Sequence, residues 1–416
     1  MDNIFKKTLI ALACSTTLFL SACNDDDNDR DEYASTRVYQ SEATYSKDTL
    51  AEASNIKVMS YLMPNVLGKS AKATALVMFP KTAKPASGWP VVVWSHGTTG
   101  VGDDCAPSNN PLNERFEILA KSLLDAGYVI VAPDYEGLGT PGIHPYLNLK
   151  SEANSALYAV KAAHEKYGSN LSQSWMSIGQ SQGGHSSLGI AELANTDPHF
   201  KGAVATAPAS SLGHIITQVA PTAIAQLEQA EKAGLYPVGT SIAVYSELLA
   251  YAAYTAVGIR AYDPRFNLGE IFEDDSKLIA EKAEGSTGEN GLCLSPLMDE
   301  FSLKIAEFLV KNPDKSVLDY PGLKPGFENN AVIKKFLEDN QPATKKFDKP
   351  VYVVQGKLDT AVPYQVTQAL VANLNAMGST PPVVLDIVED ATHTQAIVKK
   401  NAEVVEFIKQ YMPANQ

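Results

Sequence analysis

Residues 179–183, Gly-Gln-Ser-Gln-Gly, place Ser181 between two glycines at a predicted junction of strand and helix. The apolar run 175–178 predicts the strand, and the apolar periodicity of 184–194 predicts the helix. A serine on so sharp a turn occupies a sparsely allowed backbone region, and its neighbours must be small for strand and helix to pass closely. The pattern therefore predicts an α/β sheet that presents Ser181 as a nucleophile at the carboxyl end of a strand.

A serine nucleophile needs a base, and in this arrangement an acid and then a histidine follow the serine along the chain. Of the seven histidines, His393 alone lies beyond the late predicted strands. It occupies the loop between a predicted strand at 383–388 and a predicted helix at 395–411, from which it can reach back over Ser181. A surface loop histidine without a catalytic role is the alternative.

The acidic partner is expected in the loop after the apolar run 351–355. Asp359 lies in that loop, and a turn or helix-cap role is its alternative. Two rival carboxylates fit less well: Asp134 precedes the serine in the chain, and Asp390 stands only three residues before His393. Asp390 is too close in sequence to face the imidazole nitrogen that points away from the serine.

The tetrahedral intermediate of acyl transfer needs two N–H donors for its oxyanion. The amide of Gln182, directly after the nucleophile, is the predicted first donor. The second is predicted in the loop 95–100, where Thr98 is the first choice and Thr99 the second. A glycine-rich structural turn is the alternative for this loop, and we interpret His96 within it as a bracing residue rather than a base.

Four separated segments share an order and spacing that are specific when taken together. They are His96-Gly97-Thr98-Thr99-Gly100 followed by Cys105-Ala106-Pro107-Ser108; residues 133–139; residues 179–184; and Gln355-Gly356 through Asp359 to Pro363. From about residue 70 to the carboxyl end, the chain resembles the secretory lipase family of the α/β-hydrolase superfamily. This resemblance implies an extracytoplasmic lipase or carboxylic ester hydrolase with Ser181, Asp359 and His393 as its triad, and it leaves the substrate open.

Strand-like runs alternate with helical patterns along most of the chain. The strands are predicted at about 74–79, 90–95, 128–132, 174–178, 202–206, 351–355 and 383–388, and the helices near 114–126, 151–167, 184–194, 363–377 and 395–411. This alternation predicts an α/β-hydrolase fold with a doubly wound, mostly parallel sheet. Residues 36–63 are candidates for antiparallel strands at one edge.

The interval 209–346 interrupts this rhythm and is far longer than an ordinary connection. Helical patterns at 215–233, 241–257 and 296–311 indicate a helical cap inserted between the sixth and seventh strands. The core is then divided into 36–208 and 347–416. Two alternatives stay open: a lid that encloses an acyl chain, or helices that pack on the core without gating.

Residues 1–22 predict a bacterial lipoprotein signal peptide. Two lysines precede an apolar stretch, and Leu20-Ser21-Ala22-Cys23 ends it, which predicts cleavage before Cys23 and lipidation of its thiol. The acidic residues 23–35 then form a solvated tether. We expect an extracytoplasmic lipoprotein anchored at Cys23, in the outer membrane or facing the periplasm; an ordinary secretory signal is the alternative.

Two cysteines remain for the folded domain, because Cys14 lies in the signal and Cys23 is lipidated. In an oxidising compartment a disulfide between Cys105 and Cys293 is expected, with two separate buried thiols as the alternative. The net charge of −13 argues against a nucleic-acid partner. No metal-ligand cluster, phosphate-binding loop or dinucleotide fingerprint occurs in the sequence, so we expect no metal and no cofactor.

Serine hydrolysis of a small-molecule or lipid ester is the leading functional hypothesis. The same groups would also cleave an amide, so a serine peptidase or amidase is the nearest alternative. A non-catalytic binding lipoprotein on a hydrolase scaffold is the alternative from another functional class, because a fold alone does not prove chemistry. The sequence makes no prediction of the oligomeric state.

Overall fold

The computed structural model describes residues 37–414, which belong to a compact unit that spans Arg37–Gln416. The predicted signal peptide, Cys23 and the acidic tether lie outside the described residues. Within residues 37–414, nine strands form one sheet: β1 (Tyr39–Thr44), β2 (Ala53–Pro64), β3 (Ser70–Pro80), β4 (Trp89–Ser95), β5 (Val129–Pro133), β6 (Leu171–Gln180), β7 (Phe200–Thr206), β8 (Val351–Gly356) and β9 (Val384–Val388).

The strand order is β1-β2-β3-β5-β4-β6-β7-β8-β9. Strands β1, β2, β3 and β5 pair antiparallel, and every pair from β5 and β4 to β9 is parallel. All seven predicted strands form. Residues 36–63 contribute two edge strands, which puts the long insertion between the seventh and eighth strands instead of the sixth and seventh.

The helices of the described chain fall into a core set and an insertion set. The core set is α1 (Glu114–Asp125), α2 (Leu149–Tyr167), α3 (Gln182–Leu193), α9 (Tyr364–Ala376), α10 (Gln395–Lys399) and α11 (Asn401–Tyr411); the insertion set is α4 (Ala220–Lys232), α5 (Thr240–Arg260), α6 (Asp274–Glu284), α7 (Leu294–Lys311) and α8 (Ala331–Asp339). A short helix, Leu212–His214, and a π-helical turn, Ile215–Val219, lead into α4.

Each face of the sheet buries its own hydrophobic core, as the two-residue period of a strand requires. In β4, Val91 and Val93 face one core, which α2, α3 and α9 cover, while Val92 and Trp94 face the other. Helices α1, α10 and α11 cover that second core. Helices on both faces explain why the central strands are nearly continuous apolar runs.

A third hydrophobic cluster forms within the insertion around α5, with Tyr254, Phe272 and Phe301 fully buried. Helix α5 is long and apolar enough to cross a membrane, with a mean hydropathy of 1.4, yet 61% of that window is buried inside the protein. Its apolar composition is therefore explained by its central place in the insertion. The division of the chain into 36–208, 209–346 and 347–416 stays a prediction.

Candidate active site

The turn that carries Ser181 joins β6 to α3. Ser181 has φ 59° and ψ −117°, a positive φ that a non-glycine residue rarely adopts. A Cβ at Gly179 would stand 1.9 Å from the carbonyl oxygen of Gly183, and a Cβ at Gly183 would stand 1.8 Å from that of Ser95. Both glycines are therefore required by close backbone contacts on either side of the serine.

Backbone hydrogen bonds hold this turn in place. The amide of Ser181 donates to the carbonyl of Thr206 at 2.9 Å, and the carbonyl of Ser181 accepts from the amide of His185 at 2.9 Å. The first bond ties the turn to β7 and the second starts α3. Ser181 is only 8% exposed, so the constrained residue lies inside the protein rather than on its surface.

Asp359 and His393 come together at the carboxyl edge of the sheet, in the loops after β8 and β9. Their side chains are joined by a 2.7 Å hydrogen bond between His393 Nδ1 and Asp359 Oδ2. The bond fixes the imidazole tautomer that carries its proton on Nδ1, which leaves Nε2 as the free basic nitrogen. Within the described chain, His393 Nε2 is buried and has no hydrogen-bond partner.

The Asp359 carboxylate is held by four donors. Its Oδ1 accepts from the amides of Ala361 and Val362 at 2.9 and 2.8 Å, and its Oδ2 accepts from Gln355 Nε2 at 2.8 Å as well as from His393. Its side chain is fully buried. These donors hold the carboxylate in one orientation, with Oδ2 directed at the imidazole.

The environment of His393 sets its basicity. Burial disfavours the charged imidazolium, but the charge of Asp359 and its hydrogen bond outweigh burial and raise the pKa of His393 above its usual value. A raised pKa makes Nε2 a stronger base. The pair can therefore take a proton from a hydroxyl in the same pocket.

The two alternative acids, Asp134 and Asp390, have hydrogen-bond or ion-pair partners other than His393. Asp134 is buried and accepts from the hydroxyl of Thr74 and the amide of Ser108 at 2.8 and 2.9 Å. Burial raises its pKa to about 6, although these hydrogen bonds oppose the shift. Asp390 is exposed and pairs with Lys399 at 2.8 Å, which lowers its pKa.

The loop after β4 brings Thr98 into the same pocket as Ser181 and His393. Within the described chain, no acceptor is found for the backbone N–H of Gln182, Thr98 or Thr99. The Thr98 hydroxyl forms a 2.7 Å hydrogen bond with the Tyr146 hydroxyl, which holds this part of the loop. His96 braces the loop as expected: its Nδ1 contacts the carbonyl of Gly97 at 2.7 Å.

Ser181 lines two pockets of different character. One is an apolar pocket of about 90 Å³ beneath the insertion, lined by residues such as Leu212, Ile216, Leu248 and Val362. The other is a larger, more polar pocket of about 550 Å³ that also contains His393 and Thr98. Tyr251, on α5, lines both pockets beside Ser181. Ser181 therefore lies at the boundary between an apolar pocket and a polar pocket.

A disulfide joins Cys105 to Cys293 across 188 residues of sequence. The amide of Leu294 beside it donates to the carbonyl of Thr99 at 2.9 Å. These two links fasten the loop after β4 to the start of α7. The insertion is thereby covalently attached next to Thr98.

A buried polar network behind the nucleophile was missed by sequence reasoning. Glu152 accepts from the Gln182 side chain at 2.9 Å and contacts His185 at 2.8 Å, and His144 lies beside the same amide. Glu152 lies in the first turn of α2, where acidic residues commonly stabilise helices, so its sequence position gave no sign of this role. No group of three or more potential metal ligands occurs within residues 37–414.

The secretory lipase family model matches residues 114–237, which include the turn that carries Ser181 and the start of the insertion. The resemblance to the secretory lipases is confirmed. This match to a lipase family supports the assignment of the chain as a carboxylic ester hydrolase. A search of curated protein sequences gives no match.

Solved structures show how widely the chain shares its fold. A protein from Legionella pneumophila matches with a TM-score of 0.66 and 20% identity, covering 90% of this chain and 98% of its own. The cell wall degrading esterase LipA from Xanthomonas oryzae matches with a TM-score of 0.62 and 18% identity, covering 92% and 100%. Candida antarctica lipase A in its closed state gives 0.63 and 18%, covering 91% and 83%. The α/β-hydrolase fold of the chain is therefore confirmed.

Proposed function

We propose that this protein is an extracytoplasmic serine hydrolase that cleaves carboxylic esters through an acyl-enzyme on Ser181. One observation carries the proposal: His393, which forms a part-buried 2.7 Å hydrogen bond with Asp359, lines the same pocket as Ser181. The positive φ of Ser181 and the unpartnered Nε2 of His393 support it.

In this mechanism His393 Nε2 takes the hydroxyl proton of Ser181 as Oγ bonds to the ester carbonyl carbon. The carbonyl π electrons move to oxygen, and the amides of Gln182 and Thr98 donate to this oxyanion. Collapse of the intermediate breaks the bond to the alcohol, which receives its proton from His393. Water then repeats the sequence and releases the acid, while Asp359 stabilises each imidazolium.

We assign the acyl group to the apolar pocket and the alcohol to the larger polar one. The apolar pocket offers aliphatic walls, including Ile215, Ile216 and Leu248, and a hydrocarbon chain gains free energy when it leaves water for such a surface. The larger pocket contains Asn113, Arg115 and Glu247, which can hydrogen-bond a polar alcohol. In this assignment the helices of residues 209–346 form a lid over the acyl group.

We also propose that Cys23 carries a lipid that anchors the enzyme to a bacterial membrane, outside the cytoplasm. The family match to secretory lipases supports export, and the run Leu20-Ser21-Ala22-Cys23 supports lipidation. In cells grown with labelled palmitate, the wild-type protein should take up the label and Cys23→Ala should not. Equal labelling of the two proteins, or no labelling of the wild type, would contradict the anchor.

The catalytic proposal is tested with the domain that begins after Cys23. Chromogenic esters and aminoacyl anilides are supplied side by side to the wild type, Ser181→Ala and the control Ser210→Ala, whose buried hydroxyl has no partner within the described chain. We expect ester turnover in the wild type and control, and a loss of about 10³-fold or more in Ser181→Ala. Faster anilide cleavage would favour a peptidase, and no turnover by folded protein would favour a binding lipoprotein.

A further inference from the structure

A second carboxylate–imidazole pair is buried behind the nucleophile, apart from Asp359 and His393. Glu152, near the start of α2, and His185, in the first turn of α3, have side chains that are 1% and 0% exposed. Glu152 Oε2 and His185 Nδ1 are 2.8 Å apart. The mechanism above gives neither residue a role, and a buried pair of this kind is costly to desolvate.

Hydrogen-bond geometry fixes both ring nitrogens of His185. Nδ1 faces Glu152 Oε2 and Nε2 faces the carbonyl oxygen of Asn340, both at 2.8 Å. A carbonyl only accepts, so Nε2 donates to it. Glu152 Oε1 accepts from the amide of Leu147 at 3.0 Å and from Gln182 Nε2 at 2.9 Å, so both oxygens of Glu152 have partners.

The same carboxylate holds the side chain of Gln182. The Gln182 side-chain nitrogen donates to Glu152 Oε1 and lies 3.2 Å from His144 Nε2. His144 can accept there because its Nδ1 donates to the carbonyl of Glu136 at 2.7 Å, and burial lowers the pKa of His144 to about 4. Both protons of the Gln182 amide are therefore fixed inside the protein.

We propose that the hydrogen-bonded Glu152–His185 pair is a positioning device that holds Gln182, and with it the oxyanion-binding amide, in place. This inference rests on the proposed role of Ser181, because Gln182 acts only on an ester attached there. Neither Glu152 nor His185 touches the substrate. Their effect on the reaction passes through the side chain and backbone of Gln182.

The pair also joins three elements that meet beneath the serine. Glu152 belongs to α2, His185 to α3, and Asn340 follows the end of α8 in the insertion. The Asn340 side chain accepts from the amide of Leu149 at 3.0 Å and so returns to the start of α2. Because these contacts connect α2, the start of α3 and Asn340, the position of Gln182 depends on all three elements.

The first experiment is nuclear magnetic resonance of the wild-type domain with ¹⁵N-labelled histidine. We expect a slowly exchanging Nε2 proton on His185, assigned by its loss in His185→Gln, because this nitrogen is buried against the Asn340 carbonyl. Glu152→Ala should shift this signal and speed its exchange with solvent, because Nδ1 loses its partner. An Nε2 signal that is unchanged in Glu152→Ala would overturn the pairing.

The second experiment compares the kinetics of Glu152→Ala, Glu152→Gln and the control Glu136→Ala. Glu136 is also buried and accepts from the amide of Val66 and the hydroxyl of Ser151, without contacting Gln182. We expect kcat to fall about ten- to a hundred-fold in Glu152→Ala with KM within about three-fold of the wild type, because a misplaced oxyanion donor affects mainly the transition state. Glu152→Gln should lose less, since its amide oxygen still accepts from Gln182.

Equal losses of kcat in Glu152→Ala and Glu136→Ala, at matched folded fractions, would overturn the positioning role. A rise in KM with unchanged kcat would overturn it as well. The proposed function fails separately, through ester turnover that survives in Ser181→Ala. The magnetic resonance signals of His185 do not depend on turnover, so the two failures are distinguishable.

Discussion

At the residue scale, the site is built from side chains whose geometry is enforced by close neighbours. Positions 179 and 183 require glycine, because a Cβ at either position would lie less than 2 Å from a backbone oxygen. This local requirement is visible in the sequence. The sequence also placed Asp359 and His393 after the correct strands. It could not reveal Glu152, because contacts between α2 and α3 depend on how the helices pack on the sheet.

The pairing of Asp359 with His393 predicts a large effect of Asp359→Asn. We expect kcat to fall about 10³- to 10⁴-fold, because the amide no longer fixes the tautomer or stabilises the imidazolium. Asp390→Asn is the matched control, since Asp390 is exposed and pairs with Lys399. A loss in the control equal to that in Asp359→Asn would exclude this assignment of the acid.

The raised pKa of His393 predicts the acid limb of the activity profile. The base must be neutral, so we expect kcat/KM to fall as the pH drops through a midpoint above the usual value of 6.5. The contribution of His393 to folding stability has the opposite pH dependence. It is fully present below pH 6.5 and is lost as the pH rises through the raised pKa of His393. An acid limb with its midpoint below 6.5, measured on a non-ionisable ester, would contradict this prediction.

At the scale of elements, the periodicity of apolar residues predicted the strands and helices whose burial alternates regularly. It missed helices that are short or polar. The central strands and α2, α3 and α9 follow their predicted positions closely. Helix α6 was missed because its sequence, Asp-Asp-Ser-Lys-Leu-Ile-Ala-Glu-Lys-Ala-Glu, is largely charged and buries few apolar residues. The predicted helix 395–411 is broken at Lys400 into α10 and α11, a local change that no apolar pattern signals.

The apolar pocket beneath the insertion predicts selectivity for short acyl chains. Its volume of about 90 Å³ is smaller than the roughly 150 Å³ of a dry cavity that holds benzene, so a short acyl chain fills it and a long chain extends beyond it. We expect hydrolysis to be faster for butanoyl than for hexadecanoyl esters of one alcohol below the solubility limit. Equal rates for the two esters would contradict an acyl pocket of this limited size.

Widening this pocket should shift the preference toward longer chains. Ile216→Ala removes part of the pocket wall, and Leu303→Ala, an exposed position on α7, is the control. We expect the ratio of octanoyl to butanoyl turnover to rise several-fold in Ile216→Ala and to stay unchanged in Leu303→Ala, because each buried CH₂ contributes about 0.8 kcal/mol. An unchanged ratio in Ile216→Ala would place the acyl group elsewhere.

At the scale of the whole molecule, a sheet with two separate cores presents the site, and residues of the insertion line the apolar pocket beside Ser181. The family resemblance anticipated the fold. It could not anticipate how the insertion helices pack, since α5 contacts its neighbours through residues far apart in sequence. The disulfide fastens this insertion beside Thr98.

The disulfide predicts a loss of stability when it is removed. Cys105→Ser with Cys293→Ser should lower the free energy of unfolding by about 2–5 kcal/mol, because the bridge closes a long loop in the unfolded chain. Urea unfolding with and without reductant measures this effect. The wild type should lose stability on reduction and the double variant should not; insensitivity of the wild type to reductant would contradict the prediction.

The central claim is that Ser181 is an activated nucleophile, and covalent labelling tests it most directly. The domain beginning after Cys23 is incubated with a fluorophosphonate probe, and the adduct is located by peptide mass spectrometry. We predict one adduct, on Ser181, that is lost in His393→Ala. Labelling that is absent from folded wild-type protein, or that persists in His393→Ala at the wild-type rate, would contradict the claim.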